Sequence, residues 1–154
     1  MFEGFGDAHI LLPSTPAIDY DFFVPPHVTP CGPIIQPYVS LAETDPKLHG
    51  WLQQSPTVLI NLGSHVVADW RLAAEFAVAI KTLLDRRPDI QILWKLKTKD
   101  DLGDALSVIA REIQENRVRI EPWLPVQPIA ILTAGNVVCM VHHGGSNSYH
   151  EAIL

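Results

Sequence analysis

Cysteine is scarce: Cys31 and Cys139 are the only two in 154 residues, and they stand far apart. Such a pair builds no disulfide framework, so the expectation is a fold held by its core in a reducing, cytoplasmic compartment. Cys139 falls inside an apolar run and is expected to be a small buried hydrophobe. Basic residues are few, 11 against 17 acidic ones for a net charge of −6, and they do not cluster. That excludes a nucleic-acid footprint. Anionic ligands would have to be held locally, by backbone N–H groups, hydroxyls or histidine. Long apolar runs are missing as well. The best candidate, Val126 to Val141, is broken by Pro128, Gly135 and Asn136, so no membrane span is expected. Glu3 stands where a signal peptide would need basic residues.

What is present suits a globular chain: 47% of residues are hydrophobic and 18% charged. The length allows one domain with a real core. Most of the 13 prolines crowd into residues 1–56, which read as an extended lead-in or interdomain linker. Short strands there are expected at most near Ile10–Leu12 and Ile34–Ile35.

Regular structure is expected over 57–154. Thr57 to Leu62 is an apolar, β-rich run that ends at Gly63-Ser64, as a buried parallel strand would. Asp69 is an N-cap candidate, and Leu72, Phe76, Ile80, Leu83 and Leu84 mark the face of a helix that Pro88 stops. A second strand follows at Ile90 to Leu96, then a second helix on Leu102, Leu106, Ile109 and Ile113. Arg117 to Glu121 makes a third strand. Pro128 and Gly135 frame a short helix. Asn136 to His142 is the fourth strand, and Ser146 opens a fourth helix. The alternation predicts an α/β fold, a Rossmann-like open parallel sheet with flanking helices and strand order 3-2-1-4. Strands one and four are then neighbours, and their carboxyl ends bring Gly63-Ser64-His65 and 143–148 to one crevice.

Each residue has a plainer reading. Ser148-x-x-Glu151 is also a capping-box pattern, and Trp123 after a strand could be a core aromatic. His142, His143 and His150 invite a metal site, but no cysteine or second acid completes a zinc set. Trp51, Trp70 and Trp94 read as packing residues.

Trp123-Leu124-Pro125-Val126-Gln127, followed by His143-Gly144-Gly145-Ser146-Asn147-Ser148-Tyr149-His150-Glu151, resembles the donor-binding signature of the UDP-glycosyltransferase family. Ile60-Asn61-Leu62-Gly63-Ser64 resembles that family's glycine-serine turn, and Val28 to Ile34 its interdomain approach. The resemblance implies GT-B architecture, with this chain supplying part of the C-terminal, nucleotide-sugar-binding domain. Trp123 would stack on uracil and Gln127 would bond the ribose, although Val126 shifts Gln127 by one residue from the family's Trp-x-Pro-Gln. His143 would contact the diphosphate, with Gly145, Asn147, Ser148 and neighbouring N–H groups completing the cradle. Glu151 would accept from the ribose hydroxyls, and Ser64 would approach the phosphates from the facing turn. The implied donor substrate is a UDP-sugar, with no other cofactor.

The sequence stops before the family's Asp-Gln pair for the sugar and lacks the acceptor domain with its histidine base. Two expectations follow. One is an enzyme's donor-binding half that is inactive by itself. The other is a non-catalytic, truncated nucleotide-binding fragment or a subunit needing a partner chain. The exposed fourth strand is expected to let the lone chain self-associate or pair with a second chain.

Overall fold

The computed structural model describes residues 8–14, 21, 23–99 and 101–153; Glu3 and Leu154 lie outside these. The chain divides into two compact units, residues 1–37 and 38–154.

In the first unit β1 (Ile10–Leu12) pairs in parallel with β2 (Val28–Pro30). A turn closed by the Val28 N–H on the Pro25 carbonyl, at 2.9 Å, sets up β2. The strand expected at Ile34–Ile35 does not form, and Ile34 is exposed.

The second unit starts with two short helices inside the stretch expected to be extended. α1 (Leu41–Thr44) begins where the Ser40 hydroxyl accepts from the Glu43 N–H, and α2 (Pro46–Leu52) where the Asp45 carboxylate accepts from the Leu48 N–H. Both are side-chain caps, and Pro46 occupies a first-turn position at which its missing N–H costs nothing. The regular fold therefore begins near residue 40 rather than 57.

The sheet holds β3 (Thr57–Asn61), β4 (Gln91–Lys95), β5 (Val118–Glu121) and β6 (Val137–His142), all parallel, in spatial order β5-β4-β3-β6. In chain order that is the expected 3-2-1-4. Alternate side chains feed two cores, as the period of a strand requires. Val58, Ile60, Ile92 and Trp94 pack against α3 (Trp70–Arg86), through Ala73, Ala77, Ile80 and Leu84. Leu59 and Leu93 face the other way, onto Leu41, Leu48, Trp51 and Leu52 of α1 and α2 and onto Leu124 and Ile131. Gln91 ties the layers: its buried amide donates to the Trp51 carbonyl and the Thr57 hydroxyl, both at 2.9 Å.

Helix α3 is capped by Asp69 as expected. Trp70 is not a packing residue, however; as the first residue of α3 it is 57% exposed, beside Arg71. The second expected helix is shorter. Gly103 to Leu106 form turns, a 3₁₀ turn covers Ser107–Ile109, and α4 spans only Ala110–Gln114. Gly103, with φ of 53°, lies in the left-handed region that an α-helix cannot use. α5 (Pro128–Leu132) and α6 (Ser146–Ile153) flank β6. Among the described residues β6 has one strand neighbour, β3, so Val138 and Cys139 are exposed. Cys139 is therefore not the buried hydrophobe expected of it.

Candidate nucleotide-binding cleft

A cleft of about 520 Å³ opens at the carboxyl ends of β3, β4 and β6. Three turns build it. The first follows β3. Buried Asn61 accepts the Gly63 N–H on Oδ1 at 3.2 Å and bends the chain there, and Gly63 has φ of 83°. Two lysines brace this turn from the β4 side: Lys95 Nζ donates to the Gly63 carbonyl at 3.1 Å, and Lys97 Nζ to the Ser64 carbonyl at 3.0 Å. The second turn follows β6. His142 Nδ1 accepts the Gly144 N–H at 3.2 Å, and Gly144 has φ of 79°. His143 then reaches across to the first turn. A Cβ added at Gly63 would stand 2.7 Å from its imidazole, and one added at Gly145 2.4 Å from Nε2. The ring thus occupies space that the two glycines leave open.

α6 starts directly after Gly145, so its first-turn N–H groups and positive dipole end face the cleft beside Ser146, Asn147 and Ser148. Ser148 lies inside the first turn rather than at the cap, so Ser148 and Glu151 do not form a capping box. Burial pushes the Glu151 carboxyl above its ordinary value. The third turn follows β5 and carries Trp123, a residue that is 57% exposed and lines the cleft. Lys95 Nζ stands 3.8 Å from the centre of that ring. Burial first, and Lys97 second, pull the Lys95 pKa below that of an ordinary lysine.

The charged residues that line the cleft are one lysine, Lys95, and one acid, Glu151, with the imidazoles of His65 and His143 beside them. The three clustered histidines have separate surroundings. His142 closes the glycine turn, His143 enters the cleft, and buried His150 has Nδ1 3.5 Å from the Ser146 hydroxyl. Chemically, the arrangement offers a flat aromatic, a helix start, imidazole and hydroxyl donors, and one carboxylate acceptor. That set matches a base, a phosphate group and a diol.

The chain is 45% identical over 148 residues to glycosyltransferase sdnJ from Sordaria araneosa, an alignment covering 92% of this chain. It is homologous to a segment of a glycosyltransferase. It spans 29% of that relative's length. No family model matches the chain. Among solved structures it is similar to Os79 from O. sativa in complex with UDP, at 25% identity and a TM-score of 0.48, over 69% of this chain and 23% of that one.

Seven of the eight residues named from the sequence of this glycosyltransferase homologue line the one cleft: Ser64, Trp123, His143, Gly145, Asn147, Ser148 and Glu151. Gln127 does not; it is the exposed N-cap residue of α5, and its neighbour Pro128 lines the cleft instead. Asn61 and Lys95 are lining residues that the sequence reading did not assign. Each had a signal, being the polar residue that follows the apolar run of a strand, at the end where an open α/β sheet binds ligands.

Proposed function

We propose that this chain forms the donor-binding half of a UDP-sugar-dependent glycosyltransferase of GT-B architecture. The observation that carries the proposal is the convergence of seven signature residues, from three separate turns and the first part of α6, on one cleft. Trp123 stacks on the uracil, and Glu151 accepts from the ribose hydroxyls. His143, Ser64, Asn147, Ser148 and the N–H groups that follow Gly145 hold the diphosphate. The reaction transfers a sugar to an acceptor hydroxyl. A base from an acceptor-binding domain or partner chain takes the hydroxyl proton, and UDP leaves with its charge held by the α6 N-terminus and His143. It needs no cofactor beyond the donor.

The 154-residue chain by itself should bind UDP without transferring sugar, since the cleft holds no acceptor-side base in this scheme. Its two unpaired cysteines support a cytoplasmic setting. The exposed edge of β6 supports self-association or pairing with a partner chain along that strand.

The test is thermal. Ligand that binds only the folded state raises Tm, so UDP should raise it more than ADP does, and Trp123→Ala should reduce the shift that UDP gives. Equal shifts with the two nucleotides would remove the uridine assignment. Sugar transfer by the purified chain that is indifferent to His143→Ala would remove the whole scheme.

A further inference from the structure

Lys95 is the last residue of β4 and sits opposite Glu121 in the ladder with β5. That register places it beside the turn that carries Trp123. Its ammonium lies over the indole, 3.8 Å from the ring centre, while donating to the Gly63 carbonyl at 3.1 Å. Among the described residues no carboxylate lies within ion-pair distance of it. The cation is thus held by a π face and a carbonyl of the opposite turn, and tryptophan is the ring that attracts a cation best. Trp123 itself is more than half exposed. An exposed indole on a loop has several rotamers open to it, and a fixed cation on one face favours one of them.

We propose that Lys95 is a positioning residue for base recognition: anchored on the Gly63 carbonyl, its ammonium covers one face of the Trp123 indole and holds the other face ready for the nucleobase. The inference rests on the uridine-nucleotide reading of the cleft. Lys95 acts through the ring, not by touching phosphate. Its removal therefore costs the same factor for a ligand with two phosphates, one or none. A lysine that paired with phosphate would cost more with each phosphate added.

The experiment is calorimetric titration of uridine, UMP and UDP into the full chain and its variants. Lys95→Met should weaken all three by the same factor, about two- to fivefold. Lys95→Arg, which keeps a cation for the ring and a donor for the carbonyl, should restore most of the loss. In a Trp123→Ala background Lys95→Met should change nothing further. A loss that grows from uridine to UDP, or one that persists without Trp123, overturns the proposal. So does tighter binding by Lys95→Met, because the ammonium would then occupy the face the base needs. If the unsubstituted chain binds none of the three ligands, the uridine-nucleotide reading falls first, and this inference with it. Should Lys95→Met not fold, the unsubstituted chain still decides. The Lys95 side-chain proton resonances should be shifted upfield by the indole ring current and move on adding uridine. Unshifted resonances overturn the proposal.

Discussion

Gly145→Ala isolates what the cleft requires of its backbone. Gly63 and Gly144 have φ of 83° and 79°, so any side chain there strains the backbone as well as the site. Gly145 lies outside that region, and alanine is conformationally allowed. Its Cβ, however, would stand 2.4 Å from His143 Nε2 and 2.7 Å from Cε1. Overpacking costs about 1–3 kcal/mol where nothing can yield. Here the obstacle is the end of an exposed side chain, so the imidazole swings aside and folding stability falls by no more than about 1 kcal/mol. Binding suffers more. A hydrogen bond to a charged group is worth about 1.5–3 kcal/mol. Displacing His143 from the diphosphate should therefore weaken UDP by about 10- to 150-fold. Urea unfolding gives the first quantity and calorimetric titration of UDP the second. The decisive comparison uses His143→Ala, which removes the three atoms nearest to the new methyl group. In that background Gly145→Ala should cost little more. If it costs as much there as in the unsubstituted chain, or if Gly145→Ala binds UDP normally, the imidazole is not what the glycine accommodates and the argument fails.

Trp123→Ala should cost uridine nucleotides about 1–3 kcal/mol of binding, the value of a base on an aromatic platform, with unchanged urea stability if the ring is a platform and not core. Burial raises the Glu151 pKa, so the folded chain holds that proton more tightly than the unfolded one. Stability should then fall as pH rises from the ordinary value of 4.5 through the raised one, and melting curves of Glu151→Gln across that range should lack the fall. Gln91→Ala removes the donor to the Trp51 carbonyl and the Thr57 hydroxyl; the loss of two buried hydrogen bonds should cost roughly 1–3 kcal/mol in urea unfolding. Val138→Lys on β6 should reduce light scattering across a concentration series if that strand mediates association, and a monodisperse parent chain would refute it.

The sheet could be read from the sequence because each of its strands is a short β-rich run bounded by turn or helix signals. Asp69 and Pro88 bracketed α3 closely for the same reason. The helices at 41–52 were hidden by composition. Proline density argued for an extended segment, although Ser40-x-x-Glu43 and Asp45-Pro46 are both helix-start patterns, and both act as caps in the structure. Leu102 to Ile113 carries helical spacing across Gly103, whose positive φ ends any single helix through it. Cys139 and Trp70 were misjudged because residue type predicts burial only on average; an edge strand and a first helical turn each left one exposed. Most of the cleft's lining was legible because those residues stand together in a motif. Lys95 was not, since its place over Trp123 depends on the register of β4 with β5, which brings it beside a ring 28 positions further along the chain.

The cleft spans a stiff element and a loose one. Every residue of β3 is buried, with strands on both sides, whereas every residue of β6 is half-buried or exposed. Amide hydrogens of β3 should exchange with solvent only when the whole unit unfolds, while those of β6 and α6 escape through smaller local openings. A nucleotide bridging Ser64 and the start of α6 would tie the loose wall to the stiff one. Deuterium uptake should therefore slow on β6 and α6 and hardly change on β3. Part of the free energy of recognition would go into quieting one wall, so affinity for the same ligand would rise with anything else that steadies β6.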